Sequence, residues 1–244
     1  MYLLTAVADL VRIDHSKSSS PVETPELKQS LYRLWNNMVS RKMYVTGGIG
    51  AIKQWEGFGP DYFLPQGTDD GGCYAETCAS IGVMMLAERI LQFDLDTQYT
   101  DVLELALYNT VLTSMSHDGK SFTYVNQLAS SEQDLSKREE WFTCACCPPN
   151  VLRLFGQLGG YVWNLREVAD GRLEVAVHLY VSGSITLGVA GQEVKVSQES
   201  DWPWKGEIGF EVRDPTKSLG LKLRIPRWAP SFSVSTPHHS RAPA

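Results

Sequence analysis

Apolar positions recur at helical spacing through the first two thirds of the chain and alternate beyond Trp163. Leu4, Val7, Leu10 and Val11 share one helical face, so residues 1–13 read as the inside of a helix whose beginning is missing. A Ser/Lys/Pro loop over 16–22 follows, and Thr24-Pro25-Glu26 then supplies a cap, a first-turn proline and an early acid. Leu27, Leu31, Leu34, Trp35 and Met38 predict an amphipathic helix over 25–42. The glycines of Tyr44–Gly50 read as a tight backbone bend, and 51–75 as a long polar and aromatic loop with a flexible stretch over 67–72. Residues 76–93 are apolar on most sides, which predicts a buried helix; 100–116 predict another. Phe122–Asn126 reads as a short strand, and Pro148-Pro149 opens a helix running to Tyr161.

The period then becomes two. Leu173, Val175, Val177 and Leu179 alternate with Glu174, Ala176, His178 and Tyr180, and similar runs follow over 185–189, 194–196, 208–212 and 219–225. Short alternating strands joined by Gly and Asp-Gly turns predict antiparallel β structure, part of a sandwich. Residues from Ser235 onward carry no period and read as a disordered tail, and His238-His239 are not read as metal ligands. The organisation predicted is a helical domain over 1–165, a β domain over 166–232 and a tail over 233–244.

Charge narrows the function classes. A net charge of −6 without basic clusters argues against nucleic acid and anionic membrane surfaces. No apolar run approaches the ~18 residues of a membrane span, and the first residues lack the basic flank of a signal peptide. Five cysteines at irregular spacing are unlike a secreted disulfide framework, which points to a reducing, cytoplasmic setting.

Candidate chemistry centres on Cys144-Ala-Cys146-Cys147-Pro-Pro-Asn150. Adjacent Cα atoms lie about 3.8 Å apart, short of the roughly 4.4–6.8 Å of an ordinary disulfide. A Cys146–Cys147 bridge would therefore be strained, and metal ligation or a reactive thiolate is the better use. With Glu76 and Cys78 upstream, Cys146 and Cys147 make a four-donor set of the kind zinc accepts; buried free cysteines are the alternative. Glu76 and Cys78 do not share a face inside a helix, so they converge on one ion only where the chain enters it. Glu56, between Trp55 and Phe58, is either a desolvated carboxyl or an ordinary surface acid. Glu104 either reaches solvent or belongs to a site. A thiol redox protein would need a CxxC pair, which the Cys144–Cys146 spacing lacks.

Tyr44-Val-Thr-Gly-Gly-Ile-Gly50, Phe58-Gly-Pro-Asp-Tyr62, Tyr74-Ala-Glu-Thr-Cys78, Val102–Asn109, Tyr124-Val-Asn126 and Cys146-Cys-Pro-Pro-Asn150 occur in this order. Together they resemble the zinc-dependent β-L-arabinofuranosidases of glycoside hydrolase family 127, over about residues 1–230. The resemblance implies an α+β multidomain fold, here a partial (α/α)6 barrel followed by an antiparallel β-sandwich domain. It implies zinc on Glu76, Cys78, Cys146 and Cys147, Cys146 as nucleophile, Glu56 as general acid/base, and Glu104 and Tyr124 as sugar contacts. The implied substrate is an arabinofuranose-containing oligosaccharide or glycoconjugate, cleaved with retention. Half a barrel would leave apolar helix faces for a homo-oligomer to cover and would turn over little substrate. The runner-up is a zinc-stabilised structural or interaction module without catalysis.

Overall fold

The computed structural model describes residues 1–16, 24–67, 73–133, 135–168, 172–189, 191–214, 219–236 and 239–241. The chain divides into two units, Met1–Gly156 and Gln157–Ala244.

In the first unit the helices form where the apolar spacing places them. They are α1 (Tyr2–Ser16), α2 (Thr24–Arg41), α3 (Thr77–Leu91), α4 (Thr97–Ala106) and α5 (Cys147–Gly156). α3 is the centre of the unit and packs against α1, α4 and α5. Its Ile81, Val83, Met84, Leu86 and Ile90 are at most 2% exposed, each worth about 1.5–3 kcal/mol of burial. α2 turns Leu31, Trp35 and Met38 inward, and Trp35 meets Tyr99 edge-on at 5.2 Å. α1 leaves Leu3 and Leu10 exposed on its outer side.

Two local expectations change. The helix expected over 100–116 begins under the cap of Asp96, which accepts from the Gln98 amide at 2.9 Å, but it does not stay regular. After Ala106 it becomes a π turn (Leu107–Val111) and a 3-10 turn (Leu112–Ser114). Side-chain hydroxyls compete for backbone there: Thr110 Oγ1 bonds the Thr46 carbonyl and Ser114 Oγ the Val111 carbonyl. The segment 122–126 is held by isolated bridges, Glu76 with Val125 and Phe122 with Met115 and Glu139, rather than as a continuous strand. The flexible loop expected over 67–72 and the loop over 16–22 fall largely outside the described residues.

The second unit opens with α6 (Gly159–Val162), so the helix expected to reach Tyr161 breaks after Gly156 at a Gly-rich joint. Two three-stranded sheets follow. One has the order β1 (Trp163–Glu167), β2 (Leu173–Val177), β6 (Leu219–Leu223); the other β3 (Gly183–Val189), β4 (Gln192–Ser200), β5 (Ile208–Arg213). β1, at the change of period, is a strand the alternation did not single out. The pairings are antiparallel except β2 with β6, which is parallel, Leu173 opposite Leu219 and Val177 opposite Leu223. That pair requires the chain to build the other sheet between its partners. β4 shows the period from its second residue on: Val194, Val196 and Gln198 are buried while Glu193, Lys195, Ser197 and Glu199 are more open. The tail read as structureless instead pairs β7 (Val234–Thr236) with β8 (His239–Arg241), while His238 lies outside the described residues. Among the described residues no helix is long and apolar enough to cross a membrane.

Candidate metal and active site

Two helix beginnings build the site. Glu76 is the cap position of α3, with extended backbone (φ −62°, ψ 138°), and its side chain makes no capping bond. Its carbonyl takes the first helical amides, from Ala79 and Ser80, so the carboxylate is free to turn toward the thiols. Cys78, already helical, follows on α3, which meets the entry condition read from the sequence. Cys147 opens α5, and Pro148-Pro149 occupy the first turn, where a missing N–H costs nothing. Both helix N-termini favour anionic groups.

The ligand segment is fixed from both sides. Thr77 Oγ1 donates to the Thr123 carbonyl at 2.8 Å, and Asn126 Nδ2 donates to the Ala75 carbonyl at 2.8 Å and to Thr77 Oγ1 at 3.0 Å. Ala75 sits at φ 37°, a left-handed conformation costly for a residue with a Cβ. Its amide bonds the Gly50 carbonyl at 2.7 Å. Gly50 itself has φ 89°, and Gly47 has φ 86° with only 3.0 Å between a Cβ there and the backbone of Ala106. The glycine bend is thus the floor under Ala75-Glu76, and only glycine fits it.

Four donor atoms of Glu76, Cys78, Cys146 and Cys147 lie within 4.8 Å of one another. Cys78 Sγ is 3.6 Å and Cys146 Sγ 3.8 Å from Cys147 Sγ, and no cysteine is bridged. Glu76 Oε1 is 3.2 Å from Cys146 Sγ and 3.7 Å from Cys147 Sγ. A tetrahedral zinc with ~2.3 Å bonds to sulfur sets S···S edges near ~3.8 Å, so the observed edges fit such an ion. Electrostatics agrees. Burial, with Glu76 and Cys78 beside it, pushes the Cys146 thiol up to about 12, although the bond to Tyr124 works the other way. Cys147 rises further, through its hydrogen bond with Cys78 and then through burial. Cys78 is lowered by that same bond with Cys147. One thiol therefore yields its proton at the expense of the others, and a dication is what lets all three ionise together.

Around the donors stand Tyr124, expected as a sugar contact, and residues to which the sequence gave no role. Asn150 Nδ2 donates to Tyr2 Oη at 3.2 Å and its side chain also hydrogen-bonds Cys78. Tyr124 Oη lies 3.3 Å from Cys146 Sγ, and its ring meets Phe142 edge-on at 5.4 Å. Tyr74 Oη lies 3.3 Å from Glu56 Oε1. The signal for Tyr74, Asn126 and Asn150 was their place inside the quoted motifs, since no spacing rule marks them.

Glu56 ends a 3-10 turn (Lys53–Trp55) in left-handed conformation, φ 52° and ψ 39°. The Ile52–Gly57 bridge closes this loop, and Asp61 anchors the next stretch to Arg41 at 2.6 Å and Lys42 at 2.8 Å. The flanking aromatics do not cover Glu56: Trp55 is 65% exposed, and Glu56 as a residue is exposed too. Of the two readings of Glu104, the solvent-reaching one is set aside, since α4 buries it at 7% exposure. A polar cavity of about 330 Å³ is lined by residues including Thr46, Asn109, Asn126 and Arg138, and none of the four donors lines it.

Residues 4–160 match the family described as beta-L-arabinofuranosidase, GH127 catalytic domain, and residues 174–238 its GH127 middle domain. The chain is 34% identical over 241 residues to a non-reducing end beta-L-arabinofuranosidase of Bifidobacterium longum subsp. longum, covering 93% of this chain and 34% of that protein. It superposes on a GH127 β-L-arabinofuranosidase from Geobacillus stearothermophilus T6 with TM-score 0.83 and 36% identity, covering 98% of this chain and 37% of the other. A second solved GH127 β-arabinofuranosidase gives TM-score 0.79 at 36% identity, over 93% and 33%. The chain thus spans about a third of the length of these relatives. On the matched residues and the shared fold, the chain belongs to glycoside hydrolase family 127.

Proposed function

We propose that this chain carries the zinc and nucleophile half of a retaining glycoside hydrolase that removes terminal β-L-arabinofuranosyl residues. One observation carries the reading: Glu76, Cys78 and Cys147 are buried, while Cys146 is the member of the cluster that solvent reaches. Zinc held by Glu76, Cys78, Cys146 and Cys147 would supply the positive charge that keeps the thiols ionised at neutral pH. Cys146 Sγ then attacks the anomeric carbon as the C–O bond to the leaving group breaks. Glu56 gives its proton to the departing oxygen. In the second half Glu56 takes a proton from water, whose oxygen displaces the thiolate and restores the starting configuration. Tyr124, at the open side of Cys146, and Glu104 contact the sugar.

A second reading has its own support. Glu56 is solvent-exposed, and a general acid usually works from a drier place; a zinc-stabilised module without turnover would look the same around the metal. Intact mass after mixing the Glu56→Gln protein with 4-nitrophenyl β-L-arabinofuranoside separates the two. A good leaving group needs little protonation, so the sugar should accumulate on Cys146, and azide should restore turnover without a base. An adduct on a carboxylate, or unchanged turnover by Cys146→Ala, would overturn the assignment. A wild-type chain that forms no adduct and releases no nitrophenol supports the structural module.

A further inference from the structure

We infer that Tyr74 is the positioning residue of the acid/base carboxyl: its hydroxyl holds one oxygen of Glu56 and ties that side chain to Tyr124 and Cys146. The inference rests on the glycosidase reading given above. Glu56 stands on an exposed turn whose backbone fixes little beyond the direction of its Cβ. A glutamate has three side-chain torsions, and on such a turn nothing in its own loop selects among them. Among the described residues the side-chain hydrogen bond to this carboxyl comes from Tyr74, at 3.3 Å to Oε1. Tyr74 is suited to that task because its own freedom is small. It is 7% exposed, a tyrosine has two side-chain torsions, and its ring packs against Tyr124 at 5.8 Å with 53° between planes.

The same hydroxyl hydrogen-bonds the Tyr124 side chain, and Tyr124 Oη lies 3.3 Å from Cys146 Sγ. Two phenols therefore span from the proposed proton donor to the proposed nucleophile. The contact also divides the labour of the carboxyl. With Oε1 held by Tyr74, Oε2 is the oxygen left to carry the transferable proton. The left-handed Ala75 follows directly and lets Tyr74 and Glu76 serve different groups from neighbouring positions.

The test is Tyr74→Phe in the full chain, which removes one oxygen and keeps the ring. Zinc content and the thermal transition should match wild type. The side-chain carboxyl carbon resonance of Glu56, assigned by its loss in Glu56→Gln, should move. Turnover of methyl β-L-arabinofuranoside, which needs a proton on departure, should fall about tenfold further than turnover of the 4-nitrophenyl glycoside. A purely structural tyrosine would lower both equally. An unmoved Glu56 resonance, or equal losses on the two glycosides, overturns the inference. If wild type cleaves neither glycoside, the glycosidase reading fails for this chain, and the resonance alone decides whether Tyr74 holds Glu56.

Discussion

Each unit of this chain buries a polar cluster, and the two have opposite chemistry. In the first, Glu76, Cys78 and Cys147 converge on Cys146, and the neighbours bonded to them, Tyr124 and Asn150, are neutral. The protein brings acids together there, and among the described residues no cation of its own is seen to shift them. In the second, Arg224 Nη1 donates to the His178 carbonyl at 3.1 Å, and Tyr180 Oη donates to the Arg224 carbonyl. Gln198, the polar third residue of the buried β4 stripe, donates to the carbonyls of Leu179 and Val181. Backbone oxygens accept these donors, and Gln198 staples β4 to the strand end around Tyr180. Burial of polar groups alone does not distinguish a site from a staple. The sign of the gathered charge, and whether the chain itself neutralises it, does.

The largest effect that would break this contrast is loss of the proposed zinc site. Cys78→Ala with Cys147→Ala should take bound zinc from about one per chain to near zero, read by metal analysis of protein purified without chelator. At free zinc about a thousandfold above Kd, this removes about 4 kcal/mol from the first unit. The second unit should keep its own transition. Full zinc retention by the double variant would show that the cluster is not the ligand set.

Acid sharpens the contrast from the other side. Burial, and Arg224 after it, hold His178 well below its usual 6.5, at about 4. The unfolded chain binds this proton near 6.5 while the folded unit refuses it until about 4. Stability is therefore complete above 6.5 and falls as pH drops through that window. The loss approaches about 3 kcal/mol once pH is below 4. Denaturant titrations of His178→Gln should be flatter than wild type between pH 4 and 6.5. A parallel pair of curves would remove His178 from the account.

Backbone effects come next. Gly47→Ala places a Cβ in left-handed backbone against Ala106 and should cost about 2 kcal/mol, with weaker zinc binding because the floor under Glu76 shifts. Ala75→Gly goes the other way and relieves strain worth up to about 1 kcal/mol in thermal melts. A destabilised Ala75→Gly would mean that the left-handed conformation is not strained at all.

The helices were legible because their apolar faces are long and regular: Leu31, Trp35 and Met38 on α2, and the all-round apolar α3, leave little choice. The four-donor set was legible as residue types, and the helix-entry condition on Glu76 and Cys78 even fixed where they meet. The π turn at 107–111 was hidden because Thr110 and Ser114 act on backbone groups whose positions only the fold supplies. Tyr74 was hidden for a related reason: its partner Glu56 arrives from another loop. The parallel β2–β6 pair left no trace in the alternation, since period two is common to both strand directions.

That parallel pair also sets an order of events during folding. β2 meets β6 only after the chain from Val177 to Leu219 has been made, whereas β3, β4 and β5 join neighbour to neighbour. Closure of the β1–β2–β6 sheet thus carries the highest contact order of any pairing in the second unit and comes late. Until then β2, with Val175 and Val177 destined for full burial, presents an open edge to other chains. As the polypeptide leaves the ribosome, this valine-rich edge is the one whose partner strand is made last.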